Sequence, residues 1–463
     1  MKYLQIIFFC ILILYNFPSL SAESSDNSVN KVLELDINNV IALALKNNLD
    51  IERQKSETDF QTWIMGTSWN DFIPEISLLG NLTNVDKRQE SDWFEYVGYP
   101  DFFIPIKKYS PKYLWSLEVA FNLQFQLNIA AFFDVYQKIL DWKKGKLEYD
   151  SVCSRIIRDT KKEFYNLLLL KRKHDLTLEN LQLVEKKYEH ALLRFEQNKI
   201  SELEKINIQI DYQSLKQLLK EDKEVFSTGM VQYKFFIGID SDKTVELKGD
   251  FSKFYDEYTR LKNKNLDYSN NLELKKQELS KSVNKNTMNT AISALLPRFR
   301  LSYYYDLRFK EDLTVTPLFE AGENYDRHWE HENGRLTFSL SLPLNTWLPL
   351  AKEQVDIIKS RYNIRQSEVL YQKMSFEKKM LVRKLINTIE STMEKINNLQ
   401  LHIDLAEKAY ILAQEQYTIK KIDIIALEEA GHRLRKMNYD LDKEKYIIYS
   451  HIFDLDYVLN KYL

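Results

Sequence analysis

Cysteine is nearly absent from this chain of 463 residues: there are two, Cys10 and Cys153. Cys10 lies inside an apolar run near the start, so a chain processed after that run keeps only Cys153 and forms no internal disulfide. Glycine (10) and proline (9) are scarce as well, which disfavours a loop-rich all-β enzyme. Neither sign of charge dominates, and a net charge of −2 gives no reason to expect nucleic acid as a partner. One long apolar run exists, Tyr3 to Leu14, with Lys2 before it and Pro18, Ser19, Ser21 and Ala22 after it. It reads as a signal peptide over 1–22, cleaved near Ser21 or Ala22. It is too short to span a bilayer as a helix. No second such run follows, so a membrane could be entered only as strands. No phosphate loop, catalytic-triad motif or cysteine cluster occurs, and no enzyme activity, cofactor or metal is expected. His328 and His331, with Glu330 and Glu332, lack a well-spaced third ligand and read as a solvated loop. His190, His402 and His432 fall on helices as surface or seam residues.

What is present is alternation. From Trp115 to Asn128 the chain reads WSLEVAFNLQFQLN. Trp115, Leu117, Val119, Phe121, Leu123, Phe125 and Leu127 alternate with a mostly polar set, the period of a two-faced strand. The stretch is long enough to cross a bilayer tilted, which takes roughly 9–11 residues. Three further alternating strands are expected, at about 75–83, 298–309 and 336–345. Loops are expected over Asn84–Tyr113 and Glu311–Arg335.

Between the strands the pattern is helical. Asp36 is a plausible N-cap for a helix running to about Trp69. No proline occurs between Pro111 and Pro297 or after Pro349, which leaves room for long helices at about 132–197, 201–236, 350–418 and 423–460. The first of these would reach on the order of 100 Å at 1.5 Å per residue and needs lateral partners. Ser201 and Glu204 form a capping-box pair. The segment 241–264 reads as a short helix and loops packed outside the main body.

The chain then repeats itself. Asn47, Asn48, Leu49, Gln54 and Pro74 recur 223 residues later as Asn270, Asn271, Leu272, Gln277 and Pro297. The seam Ile396, Leu399, Ile403, Ala406, Tyr410, Ala413, Tyr417 overlies His174, Thr177, Leu181, Val184, Tyr188, Ala191, Phe195. Two repeats follow, 23–265 and 266–463, each a helix, two strands and two long helices.

Four strands cannot close a barrel in lipid, so a barrel must be shared between copies. Two copies would give eight strands and a filled interior; three would give twelve and room for a channel. Asn122, Gln124, Gln126, Arg300, Ser302 and Ser341 would then face the lumen. Trp69 and Trp347 would anchor one membrane interface and Trp115 the other. The helices leave the strand ends on one side and would continue the barrel as a tube.

This element order, the duplication and the tips YEHALLRFEQNKIS (Tyr188–Ser201) and YILAQEQYTIKKID (Tyr410–Asp423) resemble the TolC-like outer membrane efflux protein family, over nearly the whole chain after residue 22. The repeated Asn-Asn-Leu, with Ile-Pro or Leu-Pro before each strand, resembles it too. The resemblance implies a mainly α fold with membrane β: a homotrimeric twelve-stranded barrel in the outer membrane, continued by a helical barrel across the periplasm. It implies a passive exit duct for efflux, including multidrug efflux, or type I secretion, docked to a periplasmic adaptor and an inner-membrane transporter. By the same resemblance the periplasmic aperture lies at the turns Phe195–Glu204 and Tyr417–Glu429, with Asn198 and Lys420 where the family often has glycine. Ser201, Asn207 and Asp423 fall in the same turns. Glu204 and Glu429 would narrow and charge the aperture, and Tyr417 would latch it. The rival reading is a non-channel coiled-coil structural or adhesin-like envelope protein.

Overall fold

A computed structural model of the chain describes residues 33–84, 94–99, 102–107, 115–251, 258–260, 267–309, 329–331 and 334–462. Residues 1–22, read as a signal peptide, and His328 and Glu332 lie outside the described residues. Strand β1 (Leu33–Leu35) leads into helices α1 (Ile37–Asn47) and α2 (Leu49–Gly66). The sequence pattern predicts one helix here; the structure breaks it at Asn48. Asn48 is extended (φ −69°, ψ 126°), and its side-chain oxygen accepts from the Asp50 N–H at 2.9 Å and the Ile51 N–H at 3.4 Å, so a new helix begins.

The main sheet holds β2 (Glu75–Asn84), β5 (Trp115–Leu127), β7 (Arg298–Phe309), β8 (Trp329–His331) and β9 (Arg335–Ser341), all antiparallel. β8 and β9 pair with β7 in succession along its length, so the sheet is four strands wide, in the order β2–β5–β7–β8/β9. Between β2 and β5 lies a hairpin, β3 (Phe94–Tyr99) with β4 (Phe102–Lys107), where the sequence pattern predicts only loop.

The helices carry most of the chain: α3 (Ile129–Glu196), α4 (Glu202–Phe236), α5 (Leu272–Ser293), α6 (Lys352–Thr418) and α7 (Ile424–Val458). Beyond the sheet they lie side by side, α4 on α3, α3 on α7 and α7 on α6; nearer the sheet the order is α2, α3, α5, α6. The core is not at the sheet or at the tips. It sits at the waist, where Phe164, Leu167, Tyr233, Ile237, Ile389, Ile448, Tyr449 and Ile452 are all buried. Tyr165 stacks on Tyr449 there, with ring centres 4.6 Å apart. Strand β6 (Val245–Leu247) pairs in parallel with β1 and puts Leu35 and Leu247 into this core, and Phe251 follows. The described part of 241–264 is therefore joined to the main body and includes a strand, against the expectation of loops outside it. Alternating Leu35/Leu247 burial against exposed Glu34 and Glu246 explains why three residues suffice: a core is already there to receive them.

Candidate functional site

At the sheet end the register sorts the side chains into two faces. Asn122 stands between Ser77 and Tyr304; Gln124 between Glu75 and Ser302; Gln126 opposite Arg300; Ser341 opposite Arg298. Polar residues thus line up across strands on one face, which gathers all six residues read as lumen-facing. The sequence reading missed Arg298, although it continues the same alternation two residues before Arg300. The other face carries Ile76, Leu78, Leu82, Leu336, Phe338 and Leu340. These are not covered: Leu78 is 74%, Phe338 72% and Leu336 69% exposed. Alternation alone puts them there, since a strand turns successive side chains to opposite sides. Leu79 interrupts the pattern and pairs with Ala120 on the polar face.

Trp69 and Trp347 lie in short 3-10 turns that join helix to sheet, Ser68–Phe72 before β2 and Leu344–Trp347 after β9, and both are exposed. Trp115 begins β5 opposite Asn84, at the other end of the sheet.

At the opposite end are two turns of one design. Asn198 (φ 56°) and Lys420 (φ 57°) both take the left-handed conformation. After each, a 6→1 bond closes the helix: Lys199 N–H to Arg194 O and Lys421 N–H to Gln416 O, both 2.8 Å. The next helix starts from a side-chain cap, Ser201 Oγ accepting from Glu204 N–H at 3.1 Å and Asp423 Oδ1 accepting from Ala426 N–H at 2.8 Å. Phe195 is half-buried under the Lys205 ammonium, 4.1 Å from its ring centre. Glu204, Asn207, Tyr417 and Lys420 are exposed. Glu429 is different: it forms an ion pair with Lys187 of α3, beside the pair Lys186–Glu428. The structure therefore separates the two glutamates, one free of ion pairs among the described residues and one answered within its own chain.

Above the tip, Tyr188 stacks on Tyr212 at 5.6 Å, and the Tyr212 hydroxyl donates to Glu185 at 3.0 Å, which raises its pKa. His432 faces inward; burial, then Arg435 and Lys436, hold its pKa below the ordinary value. His190 and His402 are exposed. No group of three or more His, Cys, Asp or Glu suited to a metal is found among the described residues. No described helix is long and apolar enough to cross a membrane.

Both flanks of the helical layer carry uncovered apolar stripes. On α4 they are Leu203, Ile206, Ile210, Leu218 and Val225; on α6, Val355, Ile358, Tyr362, Val369 and Phe376. The α6 stripe steps by three, four and seven residues, the spacing of a coiled-coil seam, yet nothing among the described residues covers it.

A duplicated chain that sets a two-faced sheet on long paired helices has the TolC-like fold. No family model matches this chain, and no curated protein matches it in sequence. Solved structures do match. One is CusC, described as forming a transmembrane channel, with TM-score 0.68 and 12% identity over 96% of this chain and 98% of that one. The CmeC outer membrane channel of Campylobacter jejuni aligns with TM-score 0.67 and 13% identity, covering 96% of this chain and 94% of its own. The outer membrane protein VceC of Vibrio cholerae gives 0.66 and 12%, covering 91% and 95%.

Proposed function

We propose that this chain is one third of an outer-membrane exit duct. Three copies contribute twelve strands to a barrel, and their helices prolong it into the periplasm toward an adaptor and an inner-membrane transporter, in efflux or in type I secretion. The single observation that carries this reading is the sheet: one face apolar and exposed, the other polar, its edges β2 and β9 without partners among the described residues. In water the apolar face costs about 25 cal/mol for each Å² left uncovered. In lipid that cost disappears, but the open edges then become intolerable, because each unpaired N–H or C=O in hydrocarbon costs several kcal/mol. Closure with other copies answers both demands and leaves the polar faces around water. The likeness in fold to proteins described as outer membrane channels supports the same reading. A coiled-coil structural protein of the envelope would account for the helices but gives the sheet no reason to be two-faced.

The turns at Asn198 and Lys420 form the periplasmic aperture in this reading. Glu204 supplies its free negative charge, whereas Lys187 offsets that of Glu429. Tyr417, exposed one residue before the end of α6, is placed to latch it.

Fractionation of cells and recording in planar bilayers test the proposal. The protein should sediment with outer membranes, cross-link as a trimer and conduct. A monomer that stays in the soluble fraction and never conducts overturns it.

A further inference from the structure

Arg298 and Arg300 stand on the polar face of β7 at the end where the sheet meets the helices. Their cross-strand neighbours are neutral: Ser341 opposite Arg298, and Gln126 and Ser339 on either side of Arg300. Arg298 Nε is shielded from solvent and has no hydrogen-bond partner. No ion pair reaches either arginine among the described residues. Arg308, farther along the same strand, is treated differently: Asp306 lies 2.9 Å from it and Glu118 3.6 Å. The far rows of this face are therefore balanced, Arg308 and Arg335 against Asp306 and Glu118, while the rows nearest the helices hold two uncompensated positive charges.

The carboxylate on this face closest to them is Glu75, which pairs with Gln124 on β2. It is two strands and one polar row from Arg300, about 12 Å by ordinary strand spacing, beyond the roughly 8 Å screening length at physiological salt. Asp134 and Asp356 belong to the helices below, in a cleft between α3, α5 and α6 that also contains Lys359.

A guanidinium stays charged at any physiological pH and offers a planar fork of donors to oxyanions. Charged rings of this sign mark pores for anions and phosphates. Resting on the trimeric-duct reading above, we propose that Arg298 and Arg300 form a girdle of six arginines at the junction of barrel and tube. The girdle favours cargo bearing phosphate, sulfate or carboxylate groups. Fixed charges facing a water-filled, low-dielectric-walled passage concentrate counter-ions there, so the pair acts on whatever passes, whichever pump delivers it.

The test uses the full-length protein in planar bilayers, with a multivalent blocker added on the sheet side so that the aperture at the other end does not intervene. Inositol hexakisphosphate is expected to block the wild-type channel, and hexaamminecobalt(III) from the same side is expected not to. The R298Q/R300Q double variant should need at least about tenfold more polyphosphate for the same block, a change of the size electrostatic focusing produces. R298K/R300K, which keeps the charge, should stay within about threefold of wild type. A channel that conducts but shows no sheet-side polyphosphate block, or block unchanged in R298Q/R300Q, overturns the girdle and leaves the duct standing. A protein that never conducts overturns both.

Discussion

Lys420 occupies a backbone conformation (φ 57°) that costs an ordinary side chain about 1–2 kcal/mol. Its counterpart Asn198 is better suited to it. The other two long helices end in the same way: Gly238 (φ 68°) closes α4 and Asn460 (φ 51°) closes α7. At Gly238 a Cβ would meet the Asn47 backbone oxygen at 2.6 Å, so only glycine fits. Lys420→Gly relieves strain and loses some backbone entropy, and should gain about 0.5 kcal/mol, read as a higher urea midpoint. A lower midpoint would mean that Lys420 makes a contact worth more than its strain. Asn48 and Asn271 carry a second residue-scale claim. Each caps a helix and also donates its amide to the last turn of a returning helix, Asn48 to Phe236 O at 2.7 Å and Asn271 to Val458 O at 2.8 Å. Asn271→Ala should cost about 2 kcal/mol, the sum of a lost cap and an orphaned carbonyl. Asn271→Ser keeps a capping oxygen and loses the donor to Val458 without burying a charge, so it should cost less; equal losses would show that the cap contributes nothing. The repeat of these asparagines is visible in the sequence, but their role is not. Their partners lie 188 and 187 residues away, and no local pattern points to them.

Helices α3 and α7 are joined by ion pairs in antiparallel register. Arg172 pairs with Asp442, Glu179 with Arg435 at 2.5 Å, and Lys186 with Glu428, stepping by seven residues in opposite directions. Seven residues is the coiled-coil period, so each step returns to the same side of the seam. Apart from Asp442, which is buried, these groups are partly exposed, and an exposed pair contributes only about 0–1 kcal/mol; their value lies in fixing the register. Glu179→Lys should lower the thermal midpoint at low salt, and Glu179→Lys with Arg435→Glu should restore it. No recovery in the double swap would show that the pair does not set the register. The seams themselves are legible in the sequence because apolar spacing reports them; the charge partners are not, since any surface charge looks alike until the register is known. The same contrast holds for strands. β5 and β7 announce themselves because their two faces meet different surroundings. The hairpin β3–β4 does not: FEYVGY and FFIPIK show no regular apolar–polar alternation in sequence, and Pro105 argues against a strand. It is a two-stranded ribbon, where a proline is tolerated at an edge. Of the tip, only the two turns are legible. The Lys187–Glu429 pair required knowing that α7 packs on α3.

At the scale of the molecule, both flanks of the chain are unfinished. One flank presents α4 and the edge strand β2; the other presents α6 and β9. The two flanks differ in sequence, and their stripes lie at different heights, that of α4 toward the tips and that of α6 beside α5 near the sheet; unlike flanks are expected to meet, each stripe against the part of the opposite flank at its own height. That is a heterologous contact, which closes into a ring when the rotation between copies allows it. An isologous contact, α4 on α4 or α6 on α6, would stop at a dimer with eight strands. The alternatives separate cleanly in detergent. Ile206→Asp with Ile210→Asp places charge in the α4 stripe, and Tyr362→Asp with Phe376→Asp does so in α6; an unpaired buried carboxylate costs several kcal/mol. Wild type should run as a trimer by mass photometry and each variant as a monomer. Mixed together, the variants should form one-to-one heterodimers and nothing larger, because each retains the flank the other has lost. If the α6 variant instead forms homodimers through its intact α4 stripe, the contact is isologous, and a ring of three is excluded.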